Sequence, residues 1–205
     1  RRILQDTAQL DQLFDELLQK RHAIACNAGM DNYRDYAFQE LGRFDYTPAD
    51  CHDFHQAVKA EVLPILNELY LTRKQNLKVT QLRPWDLNAD TAGQAPLHPF
   101  KDTNELLHKG IQCLEQVDPE YAQIIRLIQH NGFLDLASRP GKRPGGYNMP
   151  LQATRMPFVF MNATNALGDL RTFMHESGHA IHFFLTRDYP LLFDRKFTFE
   201  VAELA

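Results

Sequence analysis

A chain of 205 residues, 44% hydrophobic and 23% charged, can bury one sizeable core or a tight pair of cores. Its net charge of −4 gives no reason to expect a nucleic-acid partner, and no run of about 18 apolar residues offers a membrane span. Cys26, Cys51 and Cys113 are too few and too widely spaced for a disulfide framework, and no signal-peptide pattern is present, which points to a cytoplasmic setting.

From Thr7 to about Cys26, Leu10, Leu13, Leu17 and Leu18 recur at helical spacing, and Asn27-Ala28-Gly29 is a stop. Tyr33–Phe44 reads as a short aromatic-rich helix. Thr47-Pro48-Ala49-Asp50 has a capping hydroxyl, a proline in the first turn and an acid three residues on, so it starts a helix running to about Asn76. Pro64 should kink or split that helix. Cys51, His52 and His55, early in it, read as exposed polar residues and not as a second metal site. Arg83-Pro84-Trp85-Asp86 breaks the pattern, and a Pro/Gly/Ala-rich loop runs through Phe100. Asp102 then starts a helix with Leu106, Leu107, Ile111 and Leu114 as its buried stripe. Pro119 restarts the pattern, with Tyr121, Ile124, Ile125, Leu127 and Ile128 carrying it to about Phe133.

The character changes at Ser138. Residues 1–137 read as a helical region, and 138–205 as a β element, a long helix and the start of another, all within one catalytic domain. Arg139–Pro150 is too rich in Gly and Pro for regular helix. Met156–Met161 reads as a strand, and Pro157 suggests an edge position, where an extended peptide could add as a further strand. The chain opens on Arg1-Arg2 without methionine and closes at Glu203-Leu204-Ala205 in mid-pattern, so it reads as a piece of a longer protein whose other parts cover its apolar faces.

Phe173–Leu185, FMHESGHAIHFFL, contains H-E-x-x-H at His175, Glu176 and His179. With about 100° per residue, the two histidines lie some 40° apart on one helix face, with Glu176 beside them. Two imidazoles one turn apart can hold one Zn²⁺, and the carboxylate can take a proton from the attacking water. Leu170, Met174, Gly178, Ile181 and Leu185 gather on the far side as the expected core stripe. A catalytic zinc needs a third protein ligand. Glu200 and Glu203, three residues apart, both qualify, and geometry does not choose between them. His182 lies on the histidine side but a turn further along, about 5 Å away, which favours a packing role.

The segments Arg139–Tyr147, Met156–Asn162, Leu170–His182 and Glu200–Ala205, with Arg83-Pro84-Trp85-Asp86-Leu87, resemble the thimet oligopeptidase and oligoendopeptidase F family of zinc metallopeptidases. The resemblance implies a mainly α fold, a helical zincin-type metallopeptidase core with a small β element just before the zinc-binding helix. Residue by residue it implies zinc ligands His175, His179 and Glu203, with Glu176 as general base for hydrolysis of internal bonds in short peptides. Tyr147 and Gly145-Gly146 are candidates for substrate contact, weighed equally against a tight packing turn. The family's transition-state His and Tyr donors would fall beyond Ala205. Two other readings stand beside this one: a catalytically incomplete helical peptide-binding or scaffold piece, and a different single-zinc amino- or carboxypeptidase with Glu200 as ligand.

Overall fold

The computed structural model describes residues 2–204, which form two compact units meeting in sequence at Leu82 and Arg83. The first unit is helical: α1 (Arg2–Gln5), α2 (Thr7–Asn27), α3 (Tyr33–Glu40), α4 (Pro48–Ala57) and α5 (Leu63–Asn76). Helix α3 stops four residues short of the expected Phe44. Gly42 takes φ +70°, and Arg43 N–H turns back to Phe38 O at 2.9 Å, closing the helix with a left-handed residue that glycine adopts without strain. Thr47 caps α4 as read, in a capping box with Asp50. Between α4 and α5 the helix widens into a π turn over Val58–Val62, with Pro64 in the first turn of α5. A proline has no N–H to offer the carbonyl four residues back and its ring pushes on that carbonyl, so the ladder shifts register there. Leu10, Leu13, Leu17, Phe54, Ile65 and Leu69 lie exposed along these helices. Cys51 is half-buried, with His52 and His55 exposed.

The second unit holds the core. A 3₁₀ turn (Pro84–Asn88) precedes α6 (Thr103–Val117), α7 (Pro119–His130), β1 (Leu134–Ala137), β2 (Tyr147–Leu151), β3 (Met156–Ala163), α8 (Leu167–Thr186) and α9 (Phe199–Ala202). Asp102 caps α6 by accepting from Glu105 N–H at 2.9 Å, and Asp118 caps α7 by accepting from Glu120 N–H at 2.8 Å. Leu106, Leu107, Ile111 and Leu114 are buried as the periodicity predicts, with Ile124, Ile125 and Ile128 opposite them. Leu127 is the exception: it faces outward. The composition change at Ser138 falls inside this unit, between β1 and β2.

The sheet corrects one expectation directly. Strand order is β1-β3-β2, so Met156–Met161 lies in the centre and not at an edge. β3 runs parallel to β1 and antiparallel to β2, with Pro157 opposite Pro150. Val159 N–H donates to Phe133 O on the β1 side, and Pro157, two residues earlier, points the same way. The β1 ladder begins opposite Val159, so the donor that Pro157 lacks is never called on. A peptide cannot add to a strand already paired on both sides. The edges are β1 and β2.

Helix α8 also sits differently from its expected stripe. Its buried residues are Phe173, Glu176, Ser177, Ala180, Ile181 and Phe183, whereas Leu185 is 45% exposed. Leu170 and Met174 pack only at the margin of the core. Phe173 sets this rotation. Its ring lies so tightly on Gly110 of α6 that a Cβ there would stand 2.2 Å from it, while small Ser177 and Ala180 follow one and two turns on.

Candidate metal and catalytic site

Helix α8 begins where Asp169 folds back to accept from the backbone N–H groups of Thr164 and Ala166 at 2.6 and 3.0 Å. Two turns later it presents His175 and His179, whose Nε2 atoms lie 3.0 Å apart with the rings at 75°. Two lone pairs so placed need a proton or a cation between them. Nitrogens each 2.0–2.1 Å from one tetrahedral zinc lie roughly 3.3 Å apart, close to the spacing found.

The segment after α8 is irregular from Arg187 to Thr198 and leads into the single turn α9. Glu203 closes that turn, its N–H donating to Phe199 O, and its Oε2 lies 3.5 Å from His175 Nε2. Among the described residues His175, His179 and Glu203 form a group whose ligand atoms all lie within 4.8 Å of one another; Glu200 is not part of it. Two imidazole nitrogens and one carboxylate oxygen are a donor set that suits zinc. His182 stacks on Phe197 with centroids 4.0 Å apart, and burial, aided by His179, holds its pKa below the usual imidazole range. The ring packs against the segment leading to Glu203 and does not join the group.

Glu176 is buried, 6% exposed, between α8 and the start of β2. Burial pushes its carboxyl above the usual range, while His179 and His175 pull it down and Glu203 adds to the rise. The nearby backbone of Asn148, at the start of β2, lowers it slightly as well. Gly146 lies alongside: a Cβ there would come within 2.9 Å of Thr172 Cγ2 and 3.4 Å of Glu176 Oε1. A side chain at 146 would therefore push on Thr172 and touch the buried acid. A groove of about 780 Å³ opens beside them, lined by Arg171, Thr172, His175 and Glu176 among others. Tyr147 is half-exposed and stacks on Phe160 at 4.7 Å, with its ring spent on the sheet.

The loop before β2 is tied down by charge. Lys142, its side chain 1% exposed, donates to the carbonyls of Asp135, Ala137 and Met161 and to Asp135 Oδ1, with its ammonium 4.3 Å from the Phe160 ring centroid. Arg139 forks onto both Asp135 oxygens at 2.6 and 2.8 Å. Chiefly through Arg139 and then Lys142, the Asp135 carboxyl falls from 3.8 to about 2. A lowered folded pKa stabilises the fold above the unfolded value and loses that contribution as pH falls through the folded one. Chemical denaturation should thus show Asp135→Asn weaker than wild type by about 1–2 kcal/mol at pH 6, with the gap closing between pH ~4 and ~2. A gap unchanged at pH 2 would count against the ion cluster.

Sequence reasoning passed over Lys142, because a lysine is read as solvated by default. The Gly145-Gly146 doublet was the available signal for the close approach to α8.

A helix offering two imidazoles and a buried acid lies against a small sheet inside a mainly α unit, an arrangement that suits a peptidase. The chain belongs to peptidase family M3, whose model matches residues 2–205. It is 28% identical to oligopeptidase PepF of Bacillus subtilis (strain 168) over 144 residues, 70% of this chain and 21% of that protein. It is likewise 28% identical to the chromosomal oligoendopeptidase F of Lactococcus lactis subsp. cremoris over 137 residues, 63% of this chain and 22% of that protein. The solved structure of PZ peptidase A with inhibitor 2 superposes with a TM-score of 0.89 at 27% identity, covering 98% of this chain and 36% of that one. The chain thus spans about a fifth of the length of these curated relatives. No described helix is long and apolar enough to cross a membrane.

Proposed function

We propose that this chain carries the zinc-binding and proton-transfer part of an oligoendopeptidase that cuts internal bonds of short peptides. The observation that carries the reading is the meeting of His175, His179 and Glu203 beside the buried Glu176. Zinc, when bound, supplies Lewis-acid polarisation of the peptide carbonyl and lowers the pKa of water. Glu176 takes the proton of the attacking water and returns it to the leaving amine. β2 is the sheet edge that follows Gly146, which lies beside Glu176, so an extended peptide adding to that edge lies near the acid. Substrate size is taken from the oligopeptidase names of the relatives. The parts of the protein outside this chain complete the site, and the three unpaired cysteines fit a cytoplasmic location.

Metal analysis tests the ligand set. The whole protein should hold about one equivalent of zinc, and His175→Ala should weaken zinc binding by more than the roughly 10–100-fold typical of losing an outer-shell partner. Unchanged zinc affinity would remove His175 from the set. On a peptide quenched across an internal bond, cleavage should be internal; release of terminal residues alone would favour an amino- or carboxypeptidase.

A further inference from the structure

We propose that His182 and Phe197 are a positioning pair for the third metal ligand, setting the register in which Glu203 reaches His175. The proposal rests on the ligand set given above. His182 follows His175 on α8 on nearly the same side of the helix, about 10 Å further along it. Its ring stacks on Phe197 with centroids 4.0 Å apart and 16° between the planes. Further along the returning chain, Glu203 puts Oε2 3.5 Å from His175 Nε2. The chain from Phe197 to Glu203 therefore runs back along α8 and meets it at both ends of that stretch.

Between the two meeting points the backbone is stiff. Ala202 N–H donates to Thr198 O and Glu203 N–H to Phe199 O, both at 3.0 Å, so one helical turn carries the position of Phe197 to Glu203. That turn has little apolar grip of its own, since Phe199 is 64% exposed and Val201 48%. Two earlier ties, Asp188 to Arg155 and Arg195 to Gln152, fix the segment to the turn between β2 and β3 and not to the metal helix. They lie before Phe197, and the second is a long, exposed contact at 3.5 Å. A carboxylate already held at its place binds a cation more tightly than one that must be gathered to it, because the ordering is done beforehand. The stack supplies that ordering for Glu203.

The test is the zinc affinity of the whole protein, measured by competition with a chromophoric chelator. Phe197→Ala and His182→Ala should each weaken binding by about 10-fold or more. His182→Phe keeps a flat ring and removes both nitrogens, so it should stay within about threefold of wild type. Arg195→Ala, which loosens the segment elsewhere, should also stay within about threefold. In a Glu203→Ala background Phe197→Ala should have no further effect, because the ligand being positioned is gone. Four results would each overturn the proposal: wild-type affinity in Phe197→Ala, the same fractional loss with and without Glu203, a loss in Arg195→Ala as large as in Phe197→Ala, or a loss in His182→Phe as large as in His182→Ala. The last would mean that the imidazole nitrogens count and the stack does not. Should Phe197→Ala fail to fold, Phe197→Tyr and Phe197→Leu take its place, the first holding wild-type affinity and the second losing it; equal affinities in the two would overturn the proposal. Unchanged affinity in Glu203→Ala alone is a separate outcome, which removes Glu203 from the ligand set and with it the reading on which this proposal rests.

Discussion

Glu176→Gln in the whole protein is expected to lower kcat for an internal peptide bond by about 10²–10⁴-fold while leaving one equivalent of zinc in place. The amide has the shape of the acid, so it fits the same buried place beside Gly146. What it cannot do is take up a proton. Burial raises the Glu176 carboxyl, and the two histidines pull it down. The same burial gives a second readout. In metal-free protein at neutral pH an ionised Glu176 is poorly solvated, so Glu176→Gln should unfold at the same temperature as wild type or higher. Loss of activity with loss of zinc or of stability would mean that Glu176 serves the architecture and not the proton transfer. Retained activity would end the general-base assignment.

The parts of this site that one helix contains were legible in the sequence, since helical rotation alone puts His175, Glu176 and His179 on one side. The third candidate ligand, a carboxylate, was not. Glu200 and Glu203 share a face of the same short turn, and the path from α8 to that turn is irregular, so the choice of Glu203 came from family likeness. The structure places Glu203 near His175 because the chain bends back through the Phe197–His182 stack, a contact with no local signature. The core stripe of α8 was misjudged for a similar reason. Leu185 is as apolar as Phe173, and what decides between them is Gly110 on another helix. Strands β1 and β2 escaped notice because four or five residues give too little alternation to read, and Pro150 hides the second. Pro157 pointed to an edge by a sound rule, but the rule concerns where a missing donor is needed, and β1 starts too late to need it. Helices α6 and α7 start where their acidic caps and Pro119 indicate, but α7 ends at His130, short of the expected Phe133, and Leu127 of its expected stripe faces outward.

Lys142→Met should cost about 2–4 kcal/mol of stability in chemical denaturation, the largest loss expected from any single charged residue of the second unit. Methionine fills the same channel, so the loss reports the ammonium and not the packing. Three backbone carbonyls and one carboxylate oxygen converge on Nζ, and a thioether can donate to none of them. Arg139 supplies the contrast. It makes two hydrogen bonds to the same Asp135, yet its side chain is 55% exposed and water can replace it, so Arg139→Ala should cost no more than about 1 kcal/mol. Lys142→Arg should not rescue, because a planar fork cannot point at oxygens gathered around a single donor. Hydrogen exchange gives the local view: in Lys142→Met the amides of residues 141–149 should exchange faster while those of α6 and α7 stay protected. Stability within about 0.5 kcal/mol of wild type, with exchange unchanged, would show that the loop holds its place without the buried charge, and the reason for keeping a lysine there would have to be sought in the reaction itself.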